Sequence, residues 1–239
     1  MKALSALALA ATFAAAVPAH GQVTAARIAE QARARWEQRL RDVRDFTVTQ
    51  TAVGAEMVVY AERAPGSTAA APAWRSKAWI RQADGSLSPA RSGGAPFAAV
   101  QSRLFRENAS RFRLEGTQTL DGKQVYVLTL AGAGAMADLV PGMPLGGNAT
   151  ERSGAQARYF IDAAELVPLR VELTMGSASA SRALKIVIAF SDYRPTGGLL
   201  VPYRVSLAPE GQESGGAIQV AVRDVKVNTG PPARTGDWH

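Results

Sequence analysis

Tyr159-Phe160-Ile161-Asp162-Ala163-Ala164-Glu165-Leu166-Val167-Pro168-Leu169-Arg170-Val171-Glu172-Leu173-Thr174-Met175 carries the pattern on which the fold turns. From Pro168 to Met175 the residues alternate. Leu169, Val171 and Leu173 stand against Arg170, Glu172 and Thr174. A period of two is that of a strand with one buried face. Arg158 to Asp162 reads as a second strand, and the few residues between the two leave room only for a tight reversal flanked by Asp162 and Glu165. The pair is therefore antiparallel.

The same grammar extends in both directions. Arg182 to Tyr193 sets Ile186, Ile188 and Phe190 against Lys185, Val187 and Ala189. Leu200 to Leu207 and Ala217 to Val227 follow, punctuated by Gly197-Gly198 and by Gly211 to Gly216. Upstream, Arg111 to Gln118 and Lys123 to Leu130 flank Asp121-Gly122, a strong hairpin signal. There Tyr126, Leu128 and Leu130 oppose Val125, Val127 and Thr129. Phe46 to Thr51, Glu56 to Ala61 and Trp74 to Arg81 are the earliest strands, and residues 84–96 read as a loop. About ten strands follow one another without intervening helices, which excludes a parallel α/β sheet. The expectation is a mostly β (α+β) fold. A sheet this wide coils, so it should form a strongly curved antiparallel open or half barrel.

Two helices are expected to cover its concave side. From about Thr24 to Asp45, a narrow stripe of Ala29, Ala32, Trp36, Leu40 and Val43 lies opposite Arg27, Glu30, Glu37 and Arg41. Phe97, Val100 and Leu104 suggest a shorter helix over residues 97–108. Residues 131–156 are rich in Gly and Ala and contain a small apolar knot of Met136, Leu139, Val140, Met143 and Leu145.

Residues 1–21 have the three parts of a secretory signal: Lys2, an apolar run from Leu4 to Val17, and small residues that allow cleavage after Ala19 or Gly21. The run is too short to span a bilayer. No cysteine is present anywhere, so the product should be exported to the periplasm without lipidation or disulfides. Residues 22–239 are long enough for one domain with its own core. The net charge of +7 reads as a solvated surface, with weak attraction to anionic headgroups as the functional alternative. No basic-aromatic motif points to nucleic acid.

The two histidines, His20 and His239, stand at the signal junction and at the last position. A serine triad, a cysteine–histidine pair and a histidine zinc site all lack their parts. No phosphate loop or dinucleotide fingerprint is present. Asp162, Glu165, Glu172, Asp192 and Asp224 are the carboxylates that acid–base chemistry would need, and each reads better as a turn, strand-end or solvent-facing residue. The expectation is no enzyme and no cofactor.

Several stretches in order resemble the LolA/LolB-like periplasmic lipoprotein-carrier superfamily, the outer-membrane lipoprotein-sorting proteins. They are Phe46-Thr47-Val48-Thr49-Gln50, Asp121-Gly122-Lys123-Gln124-Val125-Tyr126-Val127-Leu128, Tyr159-Phe160-Ile161-Asp162 with Pro168-Leu169-Arg170-Val171-Glu172, Phe190-Ser191-Asp192-Tyr193 with Val201-Pro202-Tyr203-Arg204, and Asp224-Val225-Lys226-Val227-Asn228. The family's Pro-x-x-Phe-Arg-Trp stretch is not matched; Pro72-Ala73-Trp74-Arg75 stands there instead. The resemblance implies a concave apolar face under a helical lid, able to enclose acyl chains. Trp36, Leu40, Phe46, Val48, Trp79, Tyr126, Leu128, Tyr159, Ile161, Leu169, Val171, Ile188 and Phe190 are the residues expected to line it. The expected partners are an acyl chain, a lipid or a lipoprotein, with transient contact to membrane or envelope proteins, and the expected state is a monomer. An envelope-sensing module of the same fold, contacting a protein partner, is the alternative.

Overall fold

The computed structural model describes residues 23–67, 73–90, 104–105, 108–131, 155–175, 184–212 and 216–233. Its elements are α1 (Ala25–Leu40), β1 (Asp45–Ala52), β2 (Ala55–Arg63), β3 (Trp74–Arg81), β4 (Leu87–Pro89), β5 (Arg113–Leu120), β6 (Lys123–Ala131), β7 (Gln156–Asp162), β8 (Pro168–Met175), β9 (Leu184–Thr196), β10 (Leu199–Pro209) and β11 (Ile218–Val227). Residues 1–21, the expected secretory signal, and residues 136–145, the expected apolar knot, lie outside the described residues. No described helix is long and apolar enough to cross a membrane.

All eleven strands form one antiparallel, open and curved sheet, in the order β4-β3-β2-β1-β11-β10-β9-β8-β7-β6-β5. Every pairing joins neighbours in sequence except one seam, where the first strand meets the last; β4 and β5, though consecutive, stand at opposite edges. The strand count exceeds the expected ten because the loop over residues 84–96 contains the short edge strand β4. At the other edge, β5 carries a bulge between Leu114 and Gly116. Such an irregularity discourages strand addition from another chain.

The Asp121-Gly122 turn is as expected. Asp121 has φ 50° and Gly122 has φ 77°, the two positive values of a type I′ hairpin, and Leu120 pairs with Lys123 across it. Gly197 has a different reason for being glycine. A Cβ there would sit 2.6 Å from Val227 Cγ2, because the β9–β10 turn lies directly on the end of β11.

The first helix begins where the sequence indicates. Thr24 Oγ1 accepts from the Arg27 N–H at 3.3 Å. It ends earlier than expected, at Leu40, and Asp45 already belongs to β1. Long-range partners enforce that stop. The Arg63 guanidinium donates to the carbonyls of Leu40, Arg41 (2.9 Å) and Val43 (2.7 Å). Asn228 accepts from the Arg44 N–H at 2.7 Å and donates to the Asp42 carbonyl at 2.9 Å. A cation at a helix C-terminus also complements the helix dipole. On the flank of α1, Arg35 donates to the Ala164 carbonyl at 2.7 Å and Arg39 pairs with Glu165 at 2.8 Å, tying the helix to the β7–β8 turn. Of the expected second helix, Leu104, Phe105 and Asn108 are helical; the rest is outside the described residues.

The expected stripe of α1 is buried throughout, with Ala25 and Ile28 added to it. It sits on the concave side against both wings of the sheet in one apolar cluster. The opposite face is less polar than alternation suggested. Val125, Val127 and Phe160 form a small buried cluster there.

Candidate functional site

The concave face is built from inward positions of nearly every strand. Phe46 and Val48 come from β1, Ala61 from β2, Leu128 and Leu130 from β6, Tyr159 and Ile161 from β7, Val171 and Leu173 from β8, and Ile186, Ile188 and Phe190 from β9; all are buried in the cluster capped by Trp36 and Leu40 of α1. Register brings them into rows. Val171 pairs with Ile188 and with Tyr159, and Leu128 pairs with Tyr159 from the other side. Aromatic contacts tie down both ends. Phe46 meets Trp74 edge-on at 5.2 Å, and Phe112 meets Tyr159 edge-on at 5.6 Å.

Among the thirteen residues singled out from the sequence, Trp36, Leu40, Phe46, Val48, Leu128, Tyr159, Ile161, Val171, Ile188 and Phe190 are buried together in this cluster. Tyr126 is half-buried beside it. Leu169 is half-buried and touches both the concave cluster and the small cluster on the opposite face. The cause is a register shift between Phe160 and Ile161, which breaks strict alternation at the start of β8.

Trp79 is misplaced by the sequence reading. It is 3% exposed but lies outside the concave cluster. Trp74 packs on that cluster, and five residues along one strand is an odd step, so Trp79 faces the other way. Trp74 is thus the tryptophan that the sequence reading missed on this face. Register could have found it, because Ala61 pairs with Ser76, two residues from Trp74 and on the same face. Phe105, Phe112, Leu199 and Val201 of the cluster were also missed, as was Tyr193, which packs against the cluster.

Two guanidinium groups border the face, Arg39 over the Trp36 ring at 5.3 Å and Arg63 over the Trp74 ring at 5.7 Å. Burial pushes the Tyr159 phenol far above its ordinary range. Burial does the same to Tyr193, with Arg39 opposing and Asp162 adding to it, and the Tyr193 hydroxyl donates to the Pro168 carbonyl at 2.5 Å. Neither ionises near neutrality. The carboxylates are engaged elsewhere. Asp162 accepts from the N–H groups of Ala164 (2.8 Å) and Glu165 (3.0 Å) and faces Lys123 at 3.3 Å. Glu172 holds Arg158 at 2.8 Å and Arg170 at 2.9 Å, and Arg158 also reaches Glu115 at 2.9 Å. Asp192 holds Arg194 at 2.6 Å. It lies inside β9 with φ 54°, not at a strand end as expected. Asp224 lies 3.8 Å from Lys226. Among the described residues no three metal-ligating side chains converge.

A separate concavity of about 680 Å³ opens on the other face of the sheet, between β1–β4 and the segment after β11. Thr47, Thr49, Val58, Arg81, Lys226 and Pro231 are among its lining residues, and none of the thirteen predicted residues is.

No family model and no curated protein matches the chain. Solved structures similar to it include a DUF1329 family protein from Desulfovibrio piger, with TM-score 0.47, 13% identity, and coverage of 88% of this chain and 96% of that one. Mycobacterium tuberculosis lipoprotein LppX covers 85% of this chain and 98% of its own at 13% identity and TM-score 0.28. The LolA superfamily protein NE2245 from Nitrosomonas europaea is similar with TM-score 0.42, 16% identity, and coverage of 88% of this chain and 96% of that one.

Proposed function

We propose that this chain is an exported, periplasmic binding or carrier protein for an acyl chain, a lipid or a lipidated protein, and that it performs no catalysis. One observation carries the reading: among the described residues, the helical cover, α1 with the helical residues Leu104, Phe105 and Asn108, is smaller than the face it covers. The helix α1 has 16 residues, hence a length of about 24 Å. Eleven strands make an arc of roughly 48 Å at about 4.8 Å per spacing. Around the region under α1, Trp74, Tyr126, Leu169, Met175, Val205 and Leu207 remain only partly buried against the core. Apolar surface of this kind, next to aromatic rings, suits a hydrocarbon chain.

The test is titration with saturated fatty acids of increasing length, below their micelle thresholds. Each further methylene removed from water should strengthen binding by about 0.8 kcal/mol until the site is full. Brominated analogues should quench the emission of Trp36 and Trp74, and Trp74→Phe should remove part of that signal. Absence of saturable binding at every length, with no lipid co-purifying from the native envelope, would remove the carrier reading and leave the protein-contacting sensor.

A further inference from the structure

The two rims of the sheet differ. One carries the end of α1 and is closed by Arg63, Asn228 and the Arg39–Glu165 pair. On the other rim stand the β1–β2 turn at Val53-Gly54, the end of β3, and the starts of β9 and β11. Register fixes this grouping. Ala52 pairs with Val220, close to Ile218; Ile218 pairs with Leu207; and Pro209, two residues on, pairs with Ile186, close to Leu184. Ile80 pairs with Met57 near the end of β3.

Val53 is 81% exposed, Leu184 51%, Ile218 40% and Ile80 36%. They are four of the five large apolar residues that are exposed among the described residues. All four fall on this rim, across strands β3-β2-β1-β11-β10-β9, a span of roughly 24 Å at about 4.8 Å per spacing. Val53 is also strained. It is β-branched, has φ 50°, and takes the turn position that Asp121 takes in the β5–β6 hairpin. Neither packing nor conformational preference accounts for a valine there, and outliers of this kind point to use.

We propose that this rim seats on a lipid bilayer through Val53, Ile80, Leu184 and Ile218. Exposed apolar side chains spaced by strand widths do not make the contiguous patch that a protein partner buries, whereas the headgroup–acyl boundary accepts them singly. Charge adds long-range attraction. The chain carries +7, which favours an anionic leaflet. At the rim itself Arg81 is paired with Glu56 and Lys185 with Glu210, and Asp84 accepts from Ser86, so the four apolar side chains carry the contact. The proposal names the surface from which a greasy ligand would arrive and does not require the concave face to hold one.

The experiment is flotation of the purified protein with phosphatidylcholine vesicles and with vesicles that also contain phosphatidylglycerol. The protein should bind both, more tightly to the anionic ones, and only that increment should vanish in high salt. Val53→Asn and the double variant Leu184→Ser/Ile218→Ser should each weaken binding to phosphatidylcholine about ten-fold, the scale of one buried aliphatic side chain. Val53→Asn should melt no lower than the parent, since asparagine tolerates positive φ, and should keep any fatty-acid affinity in vesicle-free solution. Unchanged flotation of both variants, or parental binding that is lost entirely in high salt, overturns the proposal. So does a parental dimer that Val53→Asn dissociates, which would make a second copy the occupant.

Discussion

Val171 and Ile188 face each other across β8 and β9, and both are fully buried. Either one changed to aspartate would place an unpaired carboxylate among hydrocarbon, at a cost of several kcal/mol. Val171→Asp should therefore fail to unfold cooperatively, or should melt far below the parent in a thermal scan followed by circular dichroism. Asp162 makes the opposite case, a buried carboxylate that is satisfied. Burial alone would raise its pKa, but the N–H groups of Glu165 and Ala164 together with Lys123 outweigh it, and the folded value lies below the ordinary one. A group depressed in the fold stabilises above its unfolded pKa and loses that stabilisation as pH falls through the folded value. The parent should thus lose stability from about pH 4 downward more steeply than Asp162→Asn, which urea titrations at several pH values would show. Alternation made Val171 legible from sequence. It failed for Leu169 and Trp79, because a bulge moves the first and the phase of β3 had no fixed reference for the second.

Hairpins were the most legible elements, since turn chemistry is local. The Asp121-Gly122 turn leaves open space around a Cβ at Gly122, so substitution there meets no neighbour and acts through the backbone alone. Gly122→Val should lower stability by about 1–2 kcal/mol, read as a shift in the urea midpoint with an unchanged slope; no shift would contradict a positive φ at that position. Helix ends were less legible. No glycine or proline stops α1 at Leu40; the chain leaves it through turn bonds from the Arg41 N–H to Gln38 and from the Val43 N–H to Leu40. Arg63, 23 residues away, and Asn228, 184 residues from Arg44, take up its terminal carbonyls and the following backbone. Sequence periodicity has no access to such partners, and it therefore ran the helix on to Asp45. The same contacts make α1 a fixed cover at that end.

The antiparallel pairing of successive strands was legible because about ten short strands with turn signals admit few other arrangements, whereas the seam between β1 and β11 and the break between β4 and β5 were not. The composition of the concave face was legible in outline only, since membership depends on register between strands as well as on alternation within each. The seam between β1 and β11 has a further consequence, which concerns the order of folding. Every other pairing joins neighbours in sequence, so β1–β4 and β5–β11 can each assemble through short-range closures. The seam must close a loop spanning most of the chain, the costliest contact in entropy. Pulsed hydrogen exchange during refolding should find amides of β2–β3 and β6–β9 protected before those exchanged between β1 and β11; simultaneous protection would refute this order. Until the seam closes, each molecule presents two naked strand edges of matching register. At high concentration those edges can find each other in different molecules, so dilute refolding should yield monomer where concentrated refolding yields interlocked pairs.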